Sequence, residues 1–105
     1  MIRMMQGDQY RLPIEFKNED GTPLTQEEIK DIEIFVGHFR KTISDGGVGF
    51  EESEGVFYVF MTQKETFMLR GEAKIQARIK FLSGDVMGID LGTVKIDAST
   101  SKVVL

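Results

Sequence analysis

Between Glu72 and Phe81 every second residue is apolar: Ala73, Ile75, Ala77, Ile79 and Phe81 alternate with Glu72, Lys74, Gln76, Arg78 and Lys80. A side-chain period of two belongs to a strand with one face in a core and the other in water, and a helix would scatter this set around its axis. Ser83-Gly84-Asp85 then supplies turn residues, and Met87, Ile89 and Leu91 resume the alternation. Residues 72–91 therefore predict one antiparallel hairpin, with Ile75, Ile79, Phe81, Met87, Ile89 and Leu91 inward and Lys74, Arg78 and Lys80 outward.

The same period recurs upstream. Tyr10, Leu12, Ile14 and Phe16 alternate with Arg11, Pro13, Glu15 and Lys17. Pro13 has no N–H to give to a ladder, so this strand is expected at a sheet edge. Residues 32–36 read as a further strand. The unbroken apolar run from Val56 to Met61 reads as a strand covered on both faces. Ile2 to Met5, Phe39 to Ile43 and Val48 to Phe50 are weaker strand signals. Two glycines mark changes of parity. Ile32, Ile34 and Val36 are even but Phe39 and Ile43 are odd, which predicts a bulge near Gly37. Met87, Ile89 and Leu91 are odd but Val94 and Ile96 are even, which predicts a bulge or bend at Gly92 that lets one strand serve two sheets.

Helix is scarce. Leu24-Thr25-Gln26-Glu27-Glu28 and Met61-Thr62-Gln63-Lys64-Glu65 each contain Thr-x-x-Glu, the pattern of a capping box, and each predicts a short helical turn crossing between strands. Asn18 to Pro23 and Ser44 to Gly47 are loops by composition. Seven to eight short strands, regular turn signals and one or two helical turns define an all-β antiparallel sandwich rather than a closed barrel. At 105 residues the chain is expected to form a single domain spanning 1–105. Its 41% hydrophobic residues include eight Phe, enough for a core without disulfides or structural metal.

Chemistry is narrowly bounded. With no Cys, thiolate catalysis, zinc ribbons and iron–sulfur clusters are excluded. His38 is the single histidine, so no triad or multi-histidine metal site can be built, and it is expected on a solvated strand. Glu51-Glu52-Ser53-Glu54 lacks the alternating spacing of a calcium loop and reads as a charged hairpin tip. Asp85 and Asp90, five apart on one strand, fall on opposite faces and do not pair as glycosidase carboxylates. Lys74, Arg78 and Lys80 form an outward basic stripe, which could bind phosphate or an acidic sugar but is expected to be a solvated face with cross-strand ion pairs to an acidic neighbouring strand. Gly46-Gly47-Val48-Gly49 lacks the Lys-Ser/Thr ending of a phosphate loop. Tyr10, Tyr58 and the phenylalanines are expected in the core, which disfavours a sugar-stacking platform. The 13 basic and 17 acidic residues give a net charge of −4, which speaks against nucleic acid or an anionic membrane as partner. No apolar run approaches the ~20 residues of a membrane span. Gly7 and Asp8 arrive before a signal-peptide core can develop, so synthesis into the cytoplasm is expected. No catalytic residue, cofactor or metal is predicted.

The order of three motifs carries a resemblance. Met5-Gln6-Gly7-Asp8 leads into an alternating strand, Asp20-Gly21-Thr22-Pro23-Leu24 forms a turn, and Thr62-Gln63-Lys64-Glu65-Thr66-Phe67-Met68-Leu69-Arg70-Gly71 precedes the long hairpin. Together with Ser83-Gly84-Asp85, the Gly92 step and Ser99-Thr100-Ser101-Lys102, this pattern resembles the small immunoglobulin-like domains of phages and prophages of Gram-positive bacteria. It is similar in particular to the N-terminal domain of phage baseplate upper proteins. The resemblance implies an immunoglobulin-like sandwich and a non-enzymatic structural or assembly role in a tail or baseplate. The partners it implies are other virion or prophage proteins, or further copies of the chain. A small carbohydrate- or cell-wall-binding module is the alternative. Val103, Val104 and Leu105 are the predicted partner-binding residues, because three apolar residues after a polar stretch are poorly suited to water. They are expected either to dock on a partner or to complete a strand of their own domain.

Overall fold

The computed structural model describes residues 2–105, and in it the period-two segments become eight strands. These are β1 (Ile2–Met5), β2 (Tyr10–Ile14), β3 (Ile29–Val36), β4 (Phe39–Thr42), β5 (Val48–Glu51), β6 (Val56–Met61), β7 (Gly71–Phe81) and β8 (Val86–Asp97). They form a five-stranded sheet ordered β1-β8-β7-β3-β4 and a three-stranded sheet ordered β2-β6-β5. Strands two, six and five lie in one sheet and eight, seven, three and four in the other, which is immunoglobulin-like connectivity. One pairing departs from the antiparallel expectation: β1 runs parallel to β8, with Ile2 beside Val94 and Met5 beside Asp97. As predicted from Pro13, β2 is an edge strand.

Between the sheets lies one continuous core. Leu12, Ile14, Phe57, Val59 and Met61 of the small sheet face Ile32, Ile34, Val36, Ile75, Ala77 and Ile79 of the large one. At its centre Phe57 is fully buried, edge-on to Phe16 at 5.8 Å between ring centroids and tilted against Phe50 at 4.7 Å. Aromatic rings meet edge-on because the positive ring edge seeks the negative face.

Both predicted helical turns form where the chain crosses between sheets. Gln26–Glu28 is a 3-10 turn leading into β3, and the Thr25 N–H donates to the Glu28 carboxylate at 2.8 Å. Gln63–Phe67 is α1, between β6 and β7. Its capping box closes in both directions: the Glu65 N–H donates to Thr62 Oγ1 at 3.2 Å, and the Thr62 N–H donates to Glu65 Oε1 at 3.0 Å. Thr66, fully buried, ties α1 to the first loop by accepting the Gly7 N–H and donating to the Asp8 carbonyl, each at 2.9 Å.

Four local expectations are corrected. First, the parity change at Gly37 is a two-residue turn and not a bulge: Val36 pairs with Phe39, and Gly37 has φ +60°, a left-handed value open to glycine. Second, the Gly92 bulge exists, because Lys74 opposes Thr93 while Gln76 opposes Asp90, but β8 stays within one sheet. The extra residue there re-aims the side chains, and Val94 and Ile96 turn inward. Third, β6 is covered on one face only; Phe57, Val59 and Met61 are buried, whereas Phe60 is 37% exposed. The second face has no layer above it, since the described residues form just two sheets.

The fourth correction matters most for function. Ile75 and Ile79 are buried and Lys74, Arg78 and Lys80 exposed, as predicted, but Phe81, Ile89 and Leu91 are only half-buried and Met87 is 48% exposed. Met87 does lie on the inward face, opposite Ile79. The three-stranded sheet is too narrow and short to cover that end of the long hairpin, so an inward direction there does not bring burial.

Candidate interaction surface

The residues that might carry chemistry are scattered. His38 sits exposed on the β3–β4 turn, its ring 4.2 Å from that of Phe39. Glu51 to Glu54 form the tip between β5 and β6, where Ser53 Oγ donates to Glu51 at 2.8 Å and Tyr58 donates its hydroxyl proton to Glu54 at 2.6 Å. That bond to a carboxylate raises the Tyr58 pKa. Among the described residues no three of His, Cys, Asp and Glu converge as metal ligands, and no helix is long and apolar enough to cross a membrane. Along β3, Asp31 opposes Lys80 and Glu33 opposes Arg78, but among the described residues the expected cross-strand ion pairs from Lys74, Arg78 and Lys80 do not form. The carboxylate of Glu33 pairs instead with Arg40 of β4.

One ion pair is largely sheltered. Lys41, which lies opposite Ile34 on β4, donates to both carboxylate oxygens of Glu65 at 2.8 and 2.6 Å. Gly47 leaves room for the lysine stem, since a Cβ there would lie 2.9 Å from Lys41 Cδ. Burial pushes the Glu65 carboxyl up, but hydrogen bonds from Lys41 and the Thr62 N–H more than offset it and hold the pKa below its ordinary value of 4.5. A lowered folded-state pKa means that stability from this carboxylate is complete above about 4.5 and is lost as pH falls through the folded value. Denaturant midpoints measured from neutral to acidic pH should therefore fall in this range. Lys41→Met should lower stability at neutral pH by about 1–2 kcal/mol and flatten the acid limb. A variant with an unchanged acid limb would show that the pair does not contribute.

The predicted partner-binding residues do not complete a strand. Val103, Val104 and Leu105 follow β8 as irregular chain with 68%, 47% and 101% of their surface exposed. The segment is nevertheless held. Lys102 Nζ donates to Gln6 Oε1 at 2.9 Å, and the Gln63 amide brackets Leu105, donating to its carbonyl at 3.0 Å and accepting its N–H at 2.6 Å. Backbone is fixed on α1 while the side chains face out.

Sequence reading missed a second surface, at the opposite end of the long hairpin. Leu82 and Val86 are exposed beside Met87. Below them an open groove of about 590 Å³ is lined by Phe16, Leu24, Ile79, Phe81, Met87 and Ile89. β1 pairs only with Val94 to Asp97, and among the described residues nothing pairs with the outer edge of β8 from Val86 to Leu91. The signal available in the sequence was the hydrophobicity of Leu82, Val86 and Met87 close to a turn.

On the outer face of the small sheet, Arg11 lies 4.3 Å over the Tyr58 ring and 5.7 Å from that of Phe60. Phe60 in turn covers Gly49, where a Cβ would lie 3.2 Å from the ring. These two aromatics are therefore outside the core in which they were expected. Compared with protein-family models, with curated proteins and with solved structures, the chain gives no match.

Proposed function

We propose that this chain is a non-enzymatic structural or assembly module of a phage or prophage particle, associated with its tail or baseplate and acting through protein–protein contacts. The observation that carries the reading is the placement of exposed apolar side chains. Among the described residues, six of the nine exposed large hydrophobics fall in two places, Leu82, Val86 and Met87 beside an unpaired strand edge and Val103 to Leu105 over α1, the others being Met5, Phe60 and Met68. Apolar patches next to an open strand edge suit association with protein, because both the side chains and the backbone then find partners. The motif order from Met5-Gln6-Gly7-Asp8 to Ser99-Thr100-Ser101-Lys102 adds the phage setting.

The test is co-sedimentation with particles induced from a strain that carries the gene, scored by quantitative mass spectrometry. The intact chain should sediment in fixed ratio to a tail protein. Removal of residues 103–105 should reduce that ratio while leaving the melting temperature of the purified chain nearly unchanged. A chain found only in the free fraction would refute the assembly role. The second reading, a carbohydrate- or cell-wall-binding module, is favoured by the outward Tyr58 and Phe60. Retention on cell-wall material that disappears on Phe60→Ala would select it instead.

A further inference from the structure

We propose that the free edge of β8 pairs with the same edge of a second copy, joining two five-stranded sheets into one across a two-fold axis beside Gly88. This deepens the assembly reading by naming a partner for the hairpin end. Along Val86 to Leu91 every second residue turns its N–H and C=O away from β7, and no described residue meets them.

The side chains fix the register. When two copies of one strand pair antiparallel about an axis normal to the sheet, directly opposed residues share a face, so their numbers must have the same parity. Centring on Gly88 sets Met87 against the second copy's Ile89 on the inward face, which joins two half-exposed apolar side chains. On the outward face it sets Val86 against the second copy's Asp90. Within each copy Val86 already pairs with Lys80 of β7. The order across the joined sheet becomes Lys80, Val86 and the second copy's Asp90. Two strand spacings of about 4.8 Å separate the charges, a distance the lysine stem spans over a valine. The two-fold makes this contact twice.

Self-complementarity is what selects a second copy over an unrelated partner, since one edge presents the cation, the carboxylate and the apolar pair in a mutually satisfying order. Gly88 at the centre carries no side chain, so the two strands meet at the axis through backbone alone. About six residues a side make a small contact, so the dimer is weak and concentration-dependent.

The test uses the purified chain alone, in analytical ultracentrifugation from low micromolar to near-millimolar concentration. The mass should rise from 11.9 kDa towards twice that value. Met87→Lys places a charge against the second copy's Ile89 and should weaken dimerisation at least tenfold without lowering the melting temperature, because Met87 is exposed in the monomer. Asp90→Lys should weaken it similarly, and the double variant Asp90→Lys/Lys80→Asp should restore it. Asp90 also accepts the Gly92 N–H at 2.9 Å and so supports the bulge, which is why Met87→Lys serves as the independent variant. A single species of 11.9 kDa throughout, or a dimer indifferent to Met87→Lys, overturns the edge pairing. A double variant as weak as Asp90→Lys overturns the register. None of these results bears on co-sedimentation with particles, so the two readings fail separately.

Discussion

Phe57→Ala should cost about 3–5 kcal/mol, the largest loss expected from any single truncation in this chain. The ring is fully buried on the central strand of the small sheet and touches aromatic neighbours from two other segments, Phe16 and Phe50. Those rings are held by backbone on either side, so they can only partly collapse into the space left, and the cavity adds to the lost transfer energy. A domain of this size is typically stable by about 5–15 kcal/mol, so the variant should lie close to its unfolding threshold. Phe60→Ala, three residues along β6 on the opposite face, should cost about 1 kcal/mol or less, most of it from the contact with Arg11. Urea denaturation of the two variants decides the matter. Similar midpoints would mean that β6 is covered on both faces after all.

Ile79→Ala should cost about 2–3 kcal/mol, near the lower end of the range for such truncations. Ile79 is as well buried as any core residue, yet it also forms a wall of the groove beneath Met87. Its outer wall adjoins that groove, so the void left by its methyl groups is only partly enclosed. Lys80→Ala, its outward neighbour, should change stability by less than about 0.5 kcal/mol. Equal midpoints for Ile79→Ala and Lys80→Ala would contradict the facing assigned to β7. An Ile79→Ala loss as large as that of Phe57→Ala would show that the groove is closed in solution.

These two residues also mark what the sequence makes legible. Parity along β7 reveals which side chains point inward, because the strand backbone imposes it whatever surrounds the strand. Burial of an inward residue needs a second layer opposite, and the width of that layer is a property of the other sheet. Met87 continues the pattern of Ile79 without a break, and only the three-strand limit of the opposing sheet leaves it exposed. Gly37 and Gly92 illustrate a similar ambiguity. A parity change records that one residue has been absorbed, and a tight turn absorbs it as well as a bulge does. Pro13 and the two Thr-x-x-Glu pairs are legible because their signals are chemical and local: a missing N–H in one case, a carboxylate within reach of a cap in the other. The parallel contact of β1 with β8 left no such mark, since short strands far apart in sequence carry nothing that names their partner. Of the candidate surfaces, the apolar character of Val103 to Leu105 after a polar stretch marks the segment but does not reveal that it completes no strand and stays exposed, whereas the free edge of β8 follows from where β1 stops.

That same β1–β8 pairing sets a condition on how the chain reaches its native state. Ile2 to Met5 find their ladder on Val94 to Asp97, near the opposite end of the sequence. During synthesis the first strand emerges long before the strand it needs, and closing so long a loop is a slow step in any fold dominated by distant pairings. Gln6, whose amide donates to the Leu69 carbonyl at 2.9 Å and accepts from Lys102, waits on the same late arrival. The five-stranded sheet therefore completes itself only after translation has passed Asp97.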